Sequence, residues 1–256
     1  MKRIFLVISL TALAVLQCND LSAQQSNSDS GLFAQANDLY QQADYEQAAQ
    51  LYEQYVAQSP SADTYYNLGN AYFKQGNLSH AILAYERSLR LNPRDKDCKH
   101  NLAFAKTQII DNVEDNTFIL SSWATAIRNQ LTQKTWFILS IVLWCLTLIP
   151  LLLYSSTPLP LSARRASFHI AWISLLFAII TGLNAYSLHR RDTLREEAII
   201  TQGIVNAKAS PDRSGTELFT LHEGTKVTVS ETLGDWSNIH VGNNVGWIPT
   251  SNLERI

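Results

Sequence analysis

The chain has 256 residues, enough for one to three domains, with 46% apolar residues and a formal net charge of −2. This balance excludes disorder and a broad cationic face for nucleic acid, and three Cys are too few for a disulfide-rich fold. Charged residues make up only 16%, against about 25% in an ordinary soluble domain, and the shortage is localised.

Residues 1–23 (MKRIFLVISLTALAVLQCNDLSA) carry Lys2 and Arg3, then a short apolar run, then Ala23. That pattern predicts a secretory signal peptide cleaved before Gln24. Cys18 admits a lipoprotein alternative and an uncleaved anchor is a third, and all three export the segment that follows.

Residues 24–112 predict a helical repeat domain. Self-comparison shows a period of 33 to 34, with units near 29–61, 62–95 and 96–112, hence two and a half repeats. In the second unit Tyr65, Leu68, Gly69, Tyr72, Ala81, Tyr85 and Pro93 stand where a tetratricopeptide repeat (TPR) has them. Gly69 and Ala81 are small where two helices cross, Gly76-Asn77 breaks the chain between them, and Pro93 ends the second. Stacked repeats form a groove from the first helix of each unit. Asn37, Asn67, Asn70 and Asn101 are expected there with Lys74. An Asn offers both a donor and an acceptor to a peptide backbone, although Asn on a helix surface also needs no ligand.

Residues 113–134 place Ile119, Trp123, Ile127 and Leu131 at four-residue intervals. This predicts an amphipathic connector lying at the membrane surface or capping the last repeat helix. No charged residue occurs between Lys134 and Arg164, and no Asp, Glu, Lys or Arg between Arg165 and His189. Residues 135–155 and 167–188 are therefore expected to be transmembrane helices joined by a cytoplasmic loop, 156–166. Export of residue 24 then puts both flanking domains on the extracytoplasmic side of a bacterial inner membrane. Arg128, Lys134, Arg190, Arg191 and Arg195 on that side run against a naive positive-inside count.

Residues 199–256 change character. Lys226–Ser230 and Trp236–Val241 alternate with period 2, and Gly224, Gly234 and Gly242 mark turns. Five or six short strands in a small β-barrel are expected. The segment resembles the bacterial SH3-like (SH3b) domain through Val205-Asn206-Ala207, Glu223-Gly224-Thr225, Gly234-Asp235-Trp236 and Gly246-Trp247-Ile248. The resemblance implies binding of wall peptides or protein segments without catalysis. Trp236 and Trp247 either face such a ligand or fill the barrel core.

The fold class expected is thus a multidomain α plus β membrane protein: a TPR α-solenoid, a transmembrane helical hairpin and a small SH3-like β-barrel. Signal peptide, repeats, two spans and terminal SH3b domain together resemble the BatE type of aerotolerance-operon (Bat) protein. The resemblance implies a scaffold in an envelope-stress or aerotolerance complex. Its partners would be membrane proteins with von Willebrand A domains and, indirectly, a MoxR-type ATPase. The alternative is a peptidoglycan-binding sensor or anchor led by the SH3b domain. No P-loop, Gly-x-Ser-x-Gly, His-Glu-x-x-His or Cys-x-x-Cys occurs. No enzyme, cofactor or metal is therefore expected, and the partners expected are protein, membrane lipid and possible peptidoglycan, with no nucleic acid.

Overall fold

The computed structural model describes residues 30–111, 123, 127–156, 160–194 and 197–256. The expected signal peptide, most of the connector and residues 157–159 of the loop lie outside these. The chain divides into two compact units, one ending at Pro60 and one running from Ser61 to Ile256.

The first unit is a helical pair, α1 (Ser30–Gln41) and α2 (Tyr45–Gln58). Ala36, Ala48 and Ala49 are buried, so small side chains let the two helices approach closely. Asp44 caps α2 by accepting from the Gln47 backbone N–H at 3.2 Å. Just before it, Ala43 sits in the left-handed region at φ 63°.

The second unit opens with the same pattern: α3 (Ala62–Lys74) and α4 (Leu78–Leu91), followed by α5 (Lys96–Lys106). Ser61, Asn77 and Asp95 cap the three helices with side-chain oxygens. Gly76, 33 positions after Ala43, turns the chain at φ 79°. Gly69 is held to glycine by packing: an added Cβ would lie 2.6 Å from the Tyr85 ring. Cys98 is fully buried, and burial pushes its thiol up to about 11, so it is a packing residue.

Two long helices follow, α6 (Gln133–Ser156) and α7 (Leu161–Leu194). Both are long and apolar enough to cross a membrane. α7 has 34 residues and spans about 51 Å at 1.5 Å per residue, more than the ~30 Å of a hydrocarbon core. It begins inside the segment expected as a loop and runs past His189 and Arg190. Their mutual seam is small and polar. Ala171, Ala178 and Ala185 are buried, Ser140 donates to the Ala178 carbonyl at 3.2 Å, and the Thr147 and Ser174 hydroxyls meet at 2.8 Å. The outward faces carry exposed Phe137, Trp144, Trp172 and Phe177. A hairpin buried inside a soluble protein would hide those faces.

The C-terminal strands are β1 (Glu197–Ile200), β2 (Ile204–Lys208), β3 (Glu217–His222), β4 (Lys226–Leu233), β5 (Trp236–Val241), β6 (Asn244–Pro249) and β7 (Leu253–Arg255). They form an open antiparallel sheet in the order β3-β2-β6-β5-β4-β1-β7. One face of every strand feeds a single core that includes Val205, Leu221, Val227, Ile239, Ile248 and Leu253. Seven strands are present where five or six were expected.

The sheet packs directly on α4 and α5. Ile199 and Ile256 join Ala81, Ile82, Tyr85, Cys98, Leu102 and Ala105 in one buried cluster. Arg87 donates to Glu254 at 3.0 Å and to the Arg255 carbonyl at 2.6 Å, and Arg90 donates to the Ile256 carbonyl. Glu86 binds Lys106 at 2.7 Å and Lys226 at 3.0 Å, and Lys226 also meets Glu197 at 3.2 Å. Burial pushes the Glu86 carboxyl up, but the ammonium groups of Lys226 and Lys106 outweigh it and hold the group at about 2.

Candidate functional site

Helical spacing puts Asn67, Asn70 and Lys74 on one face of α3 (i, i+3, i+7), with Asn67 and Asn70 half-buried and Lys74 exposed. Asn101 of α5 reaches that face. Its amide donates to the Asn70 carbonyl oxygen at 2.9 Å and to the Tyr66 hydroxyl at 3.2 Å. The same Asn70 oxygen accepts from the Tyr85 hydroxyl at 2.7 Å. Asn70 and Asn101 are thus brought together, and their amide orientations are set by two tyrosines. The Asn70 oxygen is fully used. The Asn70 amide and the Asn101 oxygen have no partner among the described residues. One donor group and one acceptor side by side complement one peptide unit.

Asn37 belongs to the first unit and accepts from Tyr52 at 2.6 Å, 15 positions on. This repeats the Tyr85–Asn70 bond, also 15 apart. Desolvation, with a smaller contribution from Tyr40, pushes the Tyr52 hydroxyl up to about 12, so it remains a donor. Beyond Asn70 and Asn101 on the second unit, the Phe73 and Phe104 rings meet in a tilted contact, centroids 5.7 Å apart, with Phe104 exposed. The recurrent Tyr–Asn spacing was visible in the sequence and marks the Asn oxygens as internal acceptors. Lys106 binds Glu86 and so serves the contact with the sheet.

On the sheet, Ser237, Ile239 and Val241 point into the core, so Trp236 lies on the opposite face, and Trp247 does likewise beside Gly246 and Ile248. Neither tryptophan belongs to the core cluster. Trp236 stands across from Pro249, and Trp247 across from Asn238 and next to Lys208. Trp236 lines an open cleft of about 640 Å³ with Asn206, Lys208, Arg213, Pro249 and Ser251, whereas Trp247 does not line it. The Lys208 ammonium lies 6.0 Å from the Trp236 ring centroid. Lys208, Arg213 and Pro249 were not anticipated as lining residues; outward phase in β2 and β6 was the available signal for Lys208 and Pro249.

Among the described residues no group of three His, Cys, Asp or Glu side chains is arranged to hold a metal ion. No curated protein matches the chain. Residues 62–95, which span α3, α4 and the turn into α5, match the tetratricopeptide repeat family.

Proposed function

We propose that the chain is a non-catalytic, membrane-anchored scaffold that holds an extended segment of a partner protein on its repeat face. The observation that carries this reading is the Asn70–Asn101 pair, pre-oriented by Tyr85 and Tyr66, with one amide donor and one carbonyl acceptor left for a ligand backbone. A TPR segment in residues 62–95 supports a protein–protein role. Two apolar helices in antiparallel contact supply the anchor. The sheet after the hairpin packs on helices before it, which favours both flanks lying on one side of the membrane. An exported N-terminus makes that the extracytoplasmic side.

The layout resembles BatE-type proteins, with the C-terminal sheet in the role of an SH3b domain. We therefore assign the partner class to membrane proteins with von Willebrand A domains, coupled indirectly to a MoxR-type ATPase. The test is crosslinking in intact cells, detergent purification of the full chain and mass spectrometry, for the wild type and for Asn70→Ala/Asn101→Ala. Recovery of von Willebrand A proteins by the wild type and their loss in the double variant is the expected result. Equal recovery by both would overturn the groove assignment.

The Trp236 cleft favours a second reading, a peptidoglycan-binding anchor. An aromatic face beside Lys208 and Arg213 suits a wall peptide with free carboxylates. Under it, Trp236→Ala would release the protein from isolated cell wall and the Asn variants would be silent.

A further inference from the structure

The seam between α3 and α5 continues past the Asn pair. Asn70 meets Asn101, and Phe73 meets Phe104 three residues further along both helices, so the two helices run in the same direction here. Phe73 packs against the buried cluster behind it, whereas Phe104 is 53% exposed. A single exposed Phe on a helix surface needs no explanation. This one adjoins a donor and an acceptor that also have no partner among the described residues. Apolar surface and backbone-like polar groups are thus left open side by side.

Lys74 closes the same end of the seam. It follows Asn70 by about one turn of α3, is exposed, and makes no ion pair among the described residues. No acidic residue occurs in 64–80 or 98–110, so nothing along these two stretches opposes its charge. Lys106 differs, because Glu86 holds it.

We propose that Phe104 and Lys74 form a side-chain subsite that selects, within the bound partner segment, a large apolar residue with an Asp or Glu beside it. The proposal rests on the reading of Asn70 and Asn101 as holders of a ligand backbone, and it names the chemistry of that ligand. Spacing supports it. Three residues of helix advance ~4.5 Å, and an extended chain advances ~3.4 Å per residue. A ligand residue one or two places from the held backbone therefore lies over Phe104. Lys74, one residue beyond Phe73, then meets the neighbouring side chain. Charge complementarity fixes that neighbour as a carboxylate. The division of labour is chemical. The Asn pair contacts backbone, which every sequence shares, so it sets register without choosing a sequence. Burial of an apolar side chain against the Phe104 ring supplies the choice.

The test selects from a displayed library of random linear peptides on the full chain in detergent, after removal of peptides that bind empty micelles. The expected result is enrichment of a large apolar residue with Asp or Glu beside it. A synthetic peptide of the enriched sequence should bind Phe104→Ala about tenfold more weakly than the wild type, the scale of one interface hot spot. Phe104→Leu should recover most of that loss. Phe104 is exposed, so Phe104→Ala should keep the wild-type Tm, which separates a lost contact from a lost fold. Lys74→Gln should weaken binding about threefold at low salt and leave it unchanged at high salt. Peptides that require Asn70 and Asn101 but carry no apolar preference, or that bind Phe104→Ala as tightly as the wild type, would overturn the proposal and leave the groove reading standing. Peptides that bind Asn70→Ala/Asn101→Ala unchanged would overturn the groove reading itself. Absence of any enrichment would also overturn the proposal, and a wild-type dimer that Phe104→Ala dissociates would then identify a second copy of the chain as the occupant.

Discussion

The carboxylate of Asp111 accepts two hydrogen bonds from His222, one from its backbone N–H at 2.7 Å and one involving its ring Nδ1 at 2.8 Å. The same carboxylate accepts the Thr225 hydroxyl at 2.7 Å. Burial pushes the Asp111 carboxyl up, and these bonds more than reverse the effect, so it titrates below the usual carboxylate range. One side chain at the end of the helices thus gathers the whole turn between β3 and β4.

Asp111→Ala should leave the His222 N–H and the Thr225 hydroxyl without an acceptor, at a cost of about 1–3 kcal/mol. Amide exchange at His222–Thr225 should speed up, while exchange at Ile239 and Ile248 stays slow. Unchanged protection in the turn would refute the role given to Asp111.

Two glycines of the sheet separate conformation from packing. Gly234 (φ 58°) has nothing near an added Cβ, whereas at Gly224 (φ 84°) that Cβ would lie 2.6 Å from Ile109 and 3.2 Å from Ile82. Gly234→Ala should cost about 1–2 kcal/mol, the left-handed penalty alone. Gly224→Ala should cost about 1–3 kcal/mol more through overpacking. Thermal unfolding of the two variants in detergent checks the order, and equal losses would show that the turn does not press on the helices.

The Glu86 cluster predicts acid lability of the contact between sheet and helices. A carboxyl held at about 2 in the fold and near 4.5 when unfolded contributes its full stabilisation above pH ~4.5. That contribution is lost as pH falls from there toward 2. In Glu86→Gln the loss of stability over this window should be shallower than in the wild type, measured by denaturant midpoints at each pH.

Ala43 takes the left-handed turn that Gly76 takes one repeat later. An L side chain at φ 63° costs about 1–2 kcal/mol, only partly offset by the greater unfolded-state freedom of glycine. Ala43→Gly should therefore stabilise the first unit by roughly 0.5–1 kcal/mol. A lower midpoint for this variant would contradict the strain.

The local parts of the fold were legible in the sequence. Gly69, Ala81 and Tyr85 recur in phase because each repeat solves the same crossing problem. Alternation in β5 and β6 also carried the answer for Trp236 and Trp247, since Ile239 and Ile248 fix the inward phase and leave the tryptophans on the other face. The Asn residues were half legible. Their helix face follows from spacing, but which amide atom remains for a ligand depends on Tyr85 and Tyr66. Glu86–Lys226, Arg87–Glu254 and Asp111–His222 were not legible, because the partners lie 140, 167 and 111 positions apart and follow no period.

The shared cluster of Ile199 and Ile256 with Ile82, Cys98 and Ala105 sets an order of assembly. Those helices are synthesised first, the hairpin comes next, and the strands that cover them come last. At about 5–20 residues per second the helices wait roughly 10–30 s for residues 197–256. Throughout that interval an apolar surface stands open beside the newly made apolar hairpin. Any lesion that delays the sheet, even one remote from the repeat face, would lengthen the time in which this surface is open to misassembly or proteolysis.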